Sequence, residues 1–162
     1  MRTNYNYQLP RGVAGSLYDL APYAIVSRIN DETERGRMKY GMGAMQGSSP
    51  GATVAVPTGG RQAREFEGIV MTGFTTEMDM DGNVNIRHQQ TVGVLRYGNA
   101  WARIPEGVEP SYGQNVFLVT NGANAGLFTN AAAGNMAISA RFIGGRGTGN
   151  IAPVELFNQK NE

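Results

Sequence analysis

The sequence predicts an all-β protein, and three observations lead to this fold class. Glycine accounts for 23 of the 162 residues, about twice its usual share, which is typical of a chain with many turns. Charged residues make up only 17% of the chain, too few for the solvated faces of several surface helices. Short apolar segments recur roughly every 8–12 residues with turn-forming residues between them. We therefore expect a single-domain β-sandwich or barrel, jelly-roll-like, with an extended N-terminal arm.

The first twelve residues are predicted to form the arm. They contain two tyrosines, Tyr5 and Tyr7, and a proline, but show neither helical nor alternating periodicity. Such a segment either docks on its own domain or becomes ordered on a partner. We assign residues 1–12 to the arm and residues 13–162 to one β-rich domain.

The strands are predicted from apolar or alternating segments that glycine, asparagine or proline separates. The predicted segments are 38–45, 52–56, 66–72, 84–88, 91–97, 100–104, 116–120, 126–129, 136–143 and 151–156. Asp81 and Gly82 precede the clearest alternation and predict a two-residue hairpin turn, because a type I′ turn needs positive φ. Residues 25–39 mix charges without an apolar stripe and are expected to form a solvated loop. Residues 61–67 are the best candidate for a short helix.

Charge is distributed unevenly along the chain, although the net charge is only +1. Eight basic and four acidic residues give +4 between residues 1 and 64, whereas residues 65–112 carry −4 and residues 113–162 carry +1. The small net charge argues against a nucleic-acid partner, because binding to nucleic acid depends on neutralising phosphates. Twelve of the fourteen cations are arginine, which suits desolvated protein contacts better than lysine. Codon bias explains the same excess equally well.

Several classes of protein lack the residues they need here. The chain contains no cysteine, which excludes disulfides, thiolate metal sites, Fe–S clusters and cysteine nucleophiles. No run of 18 apolar residues exists, and the segment after Met1 lacks the apolar core of a secretory signal. We expect no membrane partner and synthesis in a cytoplasm.

Candidate catalytic and metal-binding groups are few. His88 is the only histidine, and it falls inside a predicted strand. Asp79 and Asp81 form a fragment of a calcium loop without the closing glutamate, so a hairpin turn explains them better. The glycine-rich segment 144–149 has neither the lysine nor the following helix of a phosphate-binding loop. We therefore expect no enzyme activity, no metal and no cofactor.

Two other functions stay open from the residues alone. Tyr97, Trp101 and Tyr112 lie near arginines in the sequence, and such a group could form a sugar-binding platform. A carbohydrate-binding β-sandwich module is therefore the main alternative. A glycoside hydrolase would need two carboxylates at catalytic separation, and nothing in the sequence selects a pair among the glutamates.

Five segments, taken together and in order, resemble segments of one known protein family. They are GMGAMQG at 41–47, FEGIV at 66–70, TTEMDMDGN at 75–83, TVGVLRY at 91–97 and GNIAPVELF at 149–157. With these segments the chain resembles the structural cement, or capsid decoration, proteins of tailed bacteriophages over residues 17–157. The resemblance implies a β-rich protein that binds the outside of an expanded capsid and clamps neighbouring major capsid subunits. It implies two partners, the major capsid protein and further copies of the chain, with a trimer ahead of a dimer. It also implies a place on the capsid exterior of the virion.

The composition of the chain is compatible with a protein that clamps capsid subunits. An aromatic arm and arginine-biased charge suit a protein that makes many weak contacts, because repetition on a lattice raises the effective concentration of each next contact. The candidate interface residues are Tyr5, Tyr7, Arg11, Arg28, Arg35, Arg37 and Arg146.

Overall fold

The computed structural model describes residues 12–73, 80 and 85–157. Within these residues the chain forms nine β-strands, and its only helical element is a single 3-10 turn, Ala63–Glu65. The strands are β1 (Ala24–Asn30), β2 (Gly43–Gln46), β3 (Thr53–Ala55), β4 (Phe66–Met71), β5 (Thr91–Arg103), β6 (Asn115–Leu118), β7 (Phe128–Thr129), β8 (Met136–Phe142) and β9 (Ile151–Leu156). The predicted all-β class is confirmed.

Five of the strands close into a barrel. The ring runs β1, β3, β2, β4, β5 and returns to β1, which pairs with β3 in parallel and with β5 in antiparallel orientation. Closure leaves no unpaired edge in this part of the molecule, which removes the usual site of edge-to-edge aggregation. The structure therefore selects the barrel from the two predicted architectures and adds a second sheet beside it.

β5 belongs to both sheets. Its first half pairs with β1 and β4, whereas residues from Gly98 to Arg103 pair with β9. β9 begins the second sheet, which continues through β8 and β6 to β7. The sequence predicted two strands, 91–97 and 100–104, but the chain forms one. Gly98, at φ +129°, lets the backbone change direction without ending the strand.

Two apolar clusters form the core, and β4 separates them. Val70 packs inside the barrel with Val54 and Val94. On the other face of β4, Ile69 belongs to the cluster that includes Phe142 of the second sheet. All six residues of β4 are buried, which explains why its sequence is nearly continuous in apolar residues rather than alternating.

The predicted loop at 25–39 is wrong for its first part, because Ala24–Asn30 is strand β1. Its alternation is inverted relative to the usual pattern. Ile25 and Ile29 are exposed, while Arg28 and Asn30 occupy the less exposed positions. Those two polar side chains have partners far along the chain, and Asn30 donates a hydrogen bond to the Arg87 carbonyl at 2.9 Å. Such partners satisfy polar groups that would otherwise be costly to bury.

The predicted strand at 84–88 is also wrong for residues 85–88, which form no strand. Ile86 is nevertheless 1% exposed and packs into the barrel core, so the alternation identified its burial correctly. The predicted hairpin at Asp81 and Gly82 lies outside the described residues, as does residue 84. The predicted helix at 61–67 is reduced to the 3-10 turn.

Candidate functional site

The described candidates for the interface fall in three places. Arg35 and Arg37 lie in the loop after β1 and line one cleft. Arg28 lies on β1, where it is 3.7 Å from the Glu67 carboxylate. Arg146 lies between β8 and β9 and is 3.5 Å from an exposed carboxylate. The remaining three candidates lie outside the described residues: Tyr5, Tyr7 and Arg11.

The cleft, called here the basic cleft, has a volume of about 530 Å³. It lies between the loop after β1, the residues that follow β5 and the turn between β6 and β7. Within the described part of the chain, its charged lining contains four cations and two carboxylates: Arg35, Arg37, Lys39, Arg103, Glu34 and Glu106. The basic cleft therefore carries a net positive charge at neutral pH.

One cation of the basic cleft, Arg37, stabilises a wall of the cleft. Arg37 Nε lies 3.3 Å from the Glu32 carboxylate, and Arg37 is also 3.6 Å from Glu34. Glu32 Oε1 in turn accepts a hydrogen bond from the Val56 amide at 2.8 Å. These contacts hold the loop after β1 against the end of β3. Arg37 is therefore less available to a partner than its neighbours.

The other cations of the basic cleft lack carboxylate partners. Arg35 and Lys39 are exposed and form no ion pair among the described residues. Arg103 Nε donates to the Tyr40 carbonyl at 2.6 Å, and burial lowers the pKa of Arg103 because no carboxylate offsets its desolvation. Three positive charges in this cleft thus remain available for anionic groups.

A second charged cluster surrounds a buried carboxylate. Glu67 is 5% exposed, and its Oε2 accepts a hydrogen bond from Arg96 at 2.8 Å while Arg28 lies 3.7 Å away. Arg28 Nε is buried and makes no hydrogen bond to any described residue, although another nitrogen of the same guanidinium donates to the Ser27 carbonyl. The contacts give Arg28 a role within the barrel, and its predicted contact with a partner stays a prediction.

An apolar groove of about 450 Å³ lies where β5 passes from the barrel to the second sheet. Its apolar lining comes from Ala21, Pro22, Tyr97, Leu156 and Phe157. The neighbouring Leu20 is 93% exposed. Exposed apolar residues that cluster in this way are typical of contacts with other macromolecules.

Sequence reasoning did not identify the groove or two cations of the cleft, Lys39 and Arg103. The groove joins a segment before β1 to the end of β9, so no local pattern contains it. Arg103 ends an alternating strand between the buried Ala102 and Ile104. That alternation was the one available signal that its side chain leaves the apolar core.

Two of the three aromatic residues of the predicted sugar platform, Trp101 and Tyr112, contact other side chains of the chain. Tyr18 packs edge-on against Trp101, with ring centroids 5.4 Å apart. A Cβ on Gly12 would overlap the same indole, so Gly12 also covers it. Tyr112 instead contacts Arg141, whose guanidinium carbon lies 5.5 Å from the ring centroid. Trp101 is therefore engaged by its own chain.

Candidate groups for catalysis or metal binding are few among the described residues. No group of three or more His, Asp or Glu side chains there is close enough to hold a metal ion. His88 Nδ1 faces the Glu32 carbonyl at 3.2 Å. Asp79 and Asp81 lie outside the described residues. In residues 12–73 and 85–157, no helix has the length and apolarity needed to cross a membrane.

Comparisons with known proteins agree with this architecture. The family described as structural cement protein (E217 gp24/Pam3 gp6) matches residues 1–157. A chain from the capsid of Myoviridae phage XM1 has a similar fold, with a TM-score of 0.73, 16% identity and 99% coverage of both chains. No curated protein matches the sequence. Because the family match spans nearly the whole chain, this protein belongs to the structural cement protein family of phages.

Proposed function

We propose that this cement protein binds the outer surface of a phage capsid and stabilises contacts between neighbouring major capsid subunits. The observation that carries the proposal is the family match over residues 1–157. The capsid origin of the XM1 chain, which has a similar fold, supports it. The proposed place of action is the exterior of the virion, after synthesis in the host cytoplasm.

Two separate surfaces of the β-domain support a clamping role. The basic cleft presents cations, and the apolar groove presents Tyr97 and Phe157. A protein that contacts a lattice through several weak sites gains affinity, because each contact raises the effective concentration of the next. We propose Arg35 as the first interface residue of the cleft, with Arg37, Arg28 and Arg146 as further candidates.

The N-terminal segment is proposed to act as an arm. The arm comprises residues 1–12, and residues 13–162 form a single β-domain. Gly12 lies on the indole of Trp101, so the arm would leave the domain at that side chain. Tyr5, Tyr7 and Arg11 would then contact the capsid or a neighbouring copy, because aromatic side chains provide large contact areas.

A structural role without enzyme activity is part of the proposal. The family is one of structural proteins, and within the described residues the exposed His88 faces the Glu32 carbonyl rather than a nucleophile. We further propose that neither nucleic acid nor a membrane is a partner, since the net charge of +1 supplies little attraction to phosphates.

We also propose that the protein forms a homo-oligomer, a trimer ahead of a dimer. The apolar groove supports a contact between protein surfaces, because Leu20 beside it is 93% exposed. The opposite charges of the segments 1–64 and 65–112 would favour contact between different faces of two copies. Analytical ultracentrifugation tests this, and a monomer in solution together with isolated copies on the capsid would contradict it.

The decisive experiment removes the protein from its particle and restores it. Expanded capsids that lack the cement protein are mixed with purified protein, and binding and thermal release of the capsid contents are measured. Saturable binding and a higher disruption temperature are expected. Electron cryomicroscopy then locates the protein on the particle. Capsids whose stability is unchanged by saturating protein would overturn the proposal.

A further inference from the structure

We propose that the basic cleft binds an extended acidic segment of the major capsid subunit. Carboxylates of that segment pair with Arg35, Lys39 and Arg103. The inference deepens the proposed function and rests on it, because it takes the capsid subunit as the partner. It adds a specific receptor site and the chemistry of the segment that fills it.

Charge is the first reason. Three of the four cations in the cleft have no carboxylate partner among the described residues. The lining as a whole stays positive, because its four cations outnumber its two carboxylates, Glu34 and Glu106. A ligand with two or more carboxylates therefore complements the cleft, whereas a cationic or neutral segment does not.

The partial burial of Arg103 is the second reason. A half-buried guanidinium without a counter-ion is costly, because it has lost part of its water without gaining an opposite charge. The Arg103 side chain donates one hydrogen bond, to the Tyr40 carbonyl, in place of a contact with water. The described residues provide no further hydrogen bond to this side chain. A carboxylate that enters the cleft would supply the missing charge and two acceptor oxygens.

The floor of the cleft indicates that the ligand also has apolar side chains. Its apolar lining includes Met42, Val56 and Leu127, of which Met42 and Val56 are buried. In an extended segment, successive side chains point to opposite sides. Acidic residues at alternate positions can therefore face the cations while the residues between them contact the floor. Methionine suits such a floor, because its unbranched side chain adapts to different shapes.

The walls of the cleft are held in place before any ligand binds. Glu32 fastens the loop after β1 to Val56, and the Ile104 amide donates to the Asn150 carbonyl at 2.9 Å on the other wall. The Arg103 amide donates to the Gly41 carbonyl at 2.9 Å. Because these bonds already exist, less ordering is needed when a segment binds.

The first experiment measures binding of a defined probe to the purified full-length protein. The probe is a fluorescent pentapeptide of alternating aspartate and leucine, and the same peptide with asparagine is the control. We expect anisotropy to show binding of the acidic peptide that weakens between low and high salt. Arg35→Gln and Lys39→Gln should each weaken it about 2- to 5-fold, as expected for partly exposed ion pairs.

A matched variant separates the cleft from general electrostatic attraction. Arg64→Gln removes the same charge from an exposed position that does not line the cleft, and it should leave the affinity for the acidic peptide unchanged. Equal losses in all three variants, or equal binding of the aspartate and asparagine peptides, would overturn the proposal. So would the absence of binding by the unaltered protein.

The second experiment identifies the occupant on the particle. A photo-crosslinking amino acid replaces the exposed Asn124 in the cleft wall, and the protein is bound to capsids and irradiated. We expect mass spectrometry to find crosslinks to a segment of the major capsid subunit that contains at least two carboxylates. Crosslinks to a second cement copy, or to a capsid segment without carboxylates, would refute the inference while leaving the cement role intact. Failure of the unaltered protein to bind capsids would instead refute the proposed function.

Discussion

Gly98 and Tyr23 touch where β5 leaves the barrel. A Cβ placed on Gly98 would lie 2.6 Å from the Cβ of Tyr23, and the φ of Gly98 is +129°. Both facts require glycine at this position, since other residues rarely adopt that conformation. The contact lets one strand serve two sheets, and it places Tyr97 beside the apolar groove.

Gly98→Ala should therefore destabilise the protein strongly. We expect a loss of about 3 kcal/mol in the free energy of unfolding, because backbone strain adds to the overlap with Tyr23. Gly107→Ala is the matched control, since Gly107 has φ +82° but its Cβ position has no atom of a described residue within 4 Å, its chain neighbours apart. It should lose only about 1 kcal/mol. Urea denaturation measures both, and equal losses would show that the Tyr23 contact contributes nothing.

Glu67→Gln should also destabilise the barrel. The change leaves Arg28 and Arg96 without their shared carboxylate, and the expected loss is about 3 kcal/mol, as for other buried ion pairs broken on one side. Glu109→Gln is the control, because the Glu109 side chain is 75% exposed. This change removes a single ion pair, the 3.5 Å contact with Arg146. It should change stability by less than about 0.5 kcal/mol. A Glu67→Gln protein as stable as the control would contradict the structural role of the cluster.

Stability should fall in acid partly through Asp31 and Glu65. The Ser48 amide donates to Asp31 Oδ2 at 2.7 Å and lowers the pKa of that carboxyl, and the Gln62 amide does the same for Glu65. Because the folded pKa is depressed, the stabilisation is complete above the ordinary value of about 4 and is lost as pH falls below it. Thermal unfolding between about pH 6 and pH 2 should show this decline. Asp31→Asn and Glu65→Gln should each make it shallower, and unchanged slopes would count against both contacts.

Deletion of residues 1–11 should separate folding from particle binding. The β-domain keeps both core clusters and the contact between Gly12 and Trp101. Its thermal midpoint should therefore change little, whereas binding to capsids should weaken because the arm contributes contacts there. Calorimetry and a capsid sedimentation assay measure the two quantities. Undiminished capsid binding by the shortened protein would rule out the arm as a contact.

Features that depend on neighbouring residues in the chain could be predicted from the sequence. Glycine content and short apolar segments predicted the all-β class, and the apolar run at 151–156 predicted β9 with the bounds observed. The segment 66–72 predicted β4 to within one residue. A strand that is buried on one or both faces must carry this information locally, because each of its side chains meets the core or the solvent directly.

Contacts between residues far apart in the chain could not be predicted from the sequence and are seen in the folded protein. β1 was missed because Arg28 has its partner Glu67 on another strand, so a charge that suggests a loop in the sequence is satisfied in the barrel. The cleft likewise depends on barrel closure, which brings Arg35 beside Arg103. The groove depends on the bend at Gly98, which brings Pro22 beside Phe157. These pairs form through long-range strand pairing, and a local pattern of residues does not record which strands will pair.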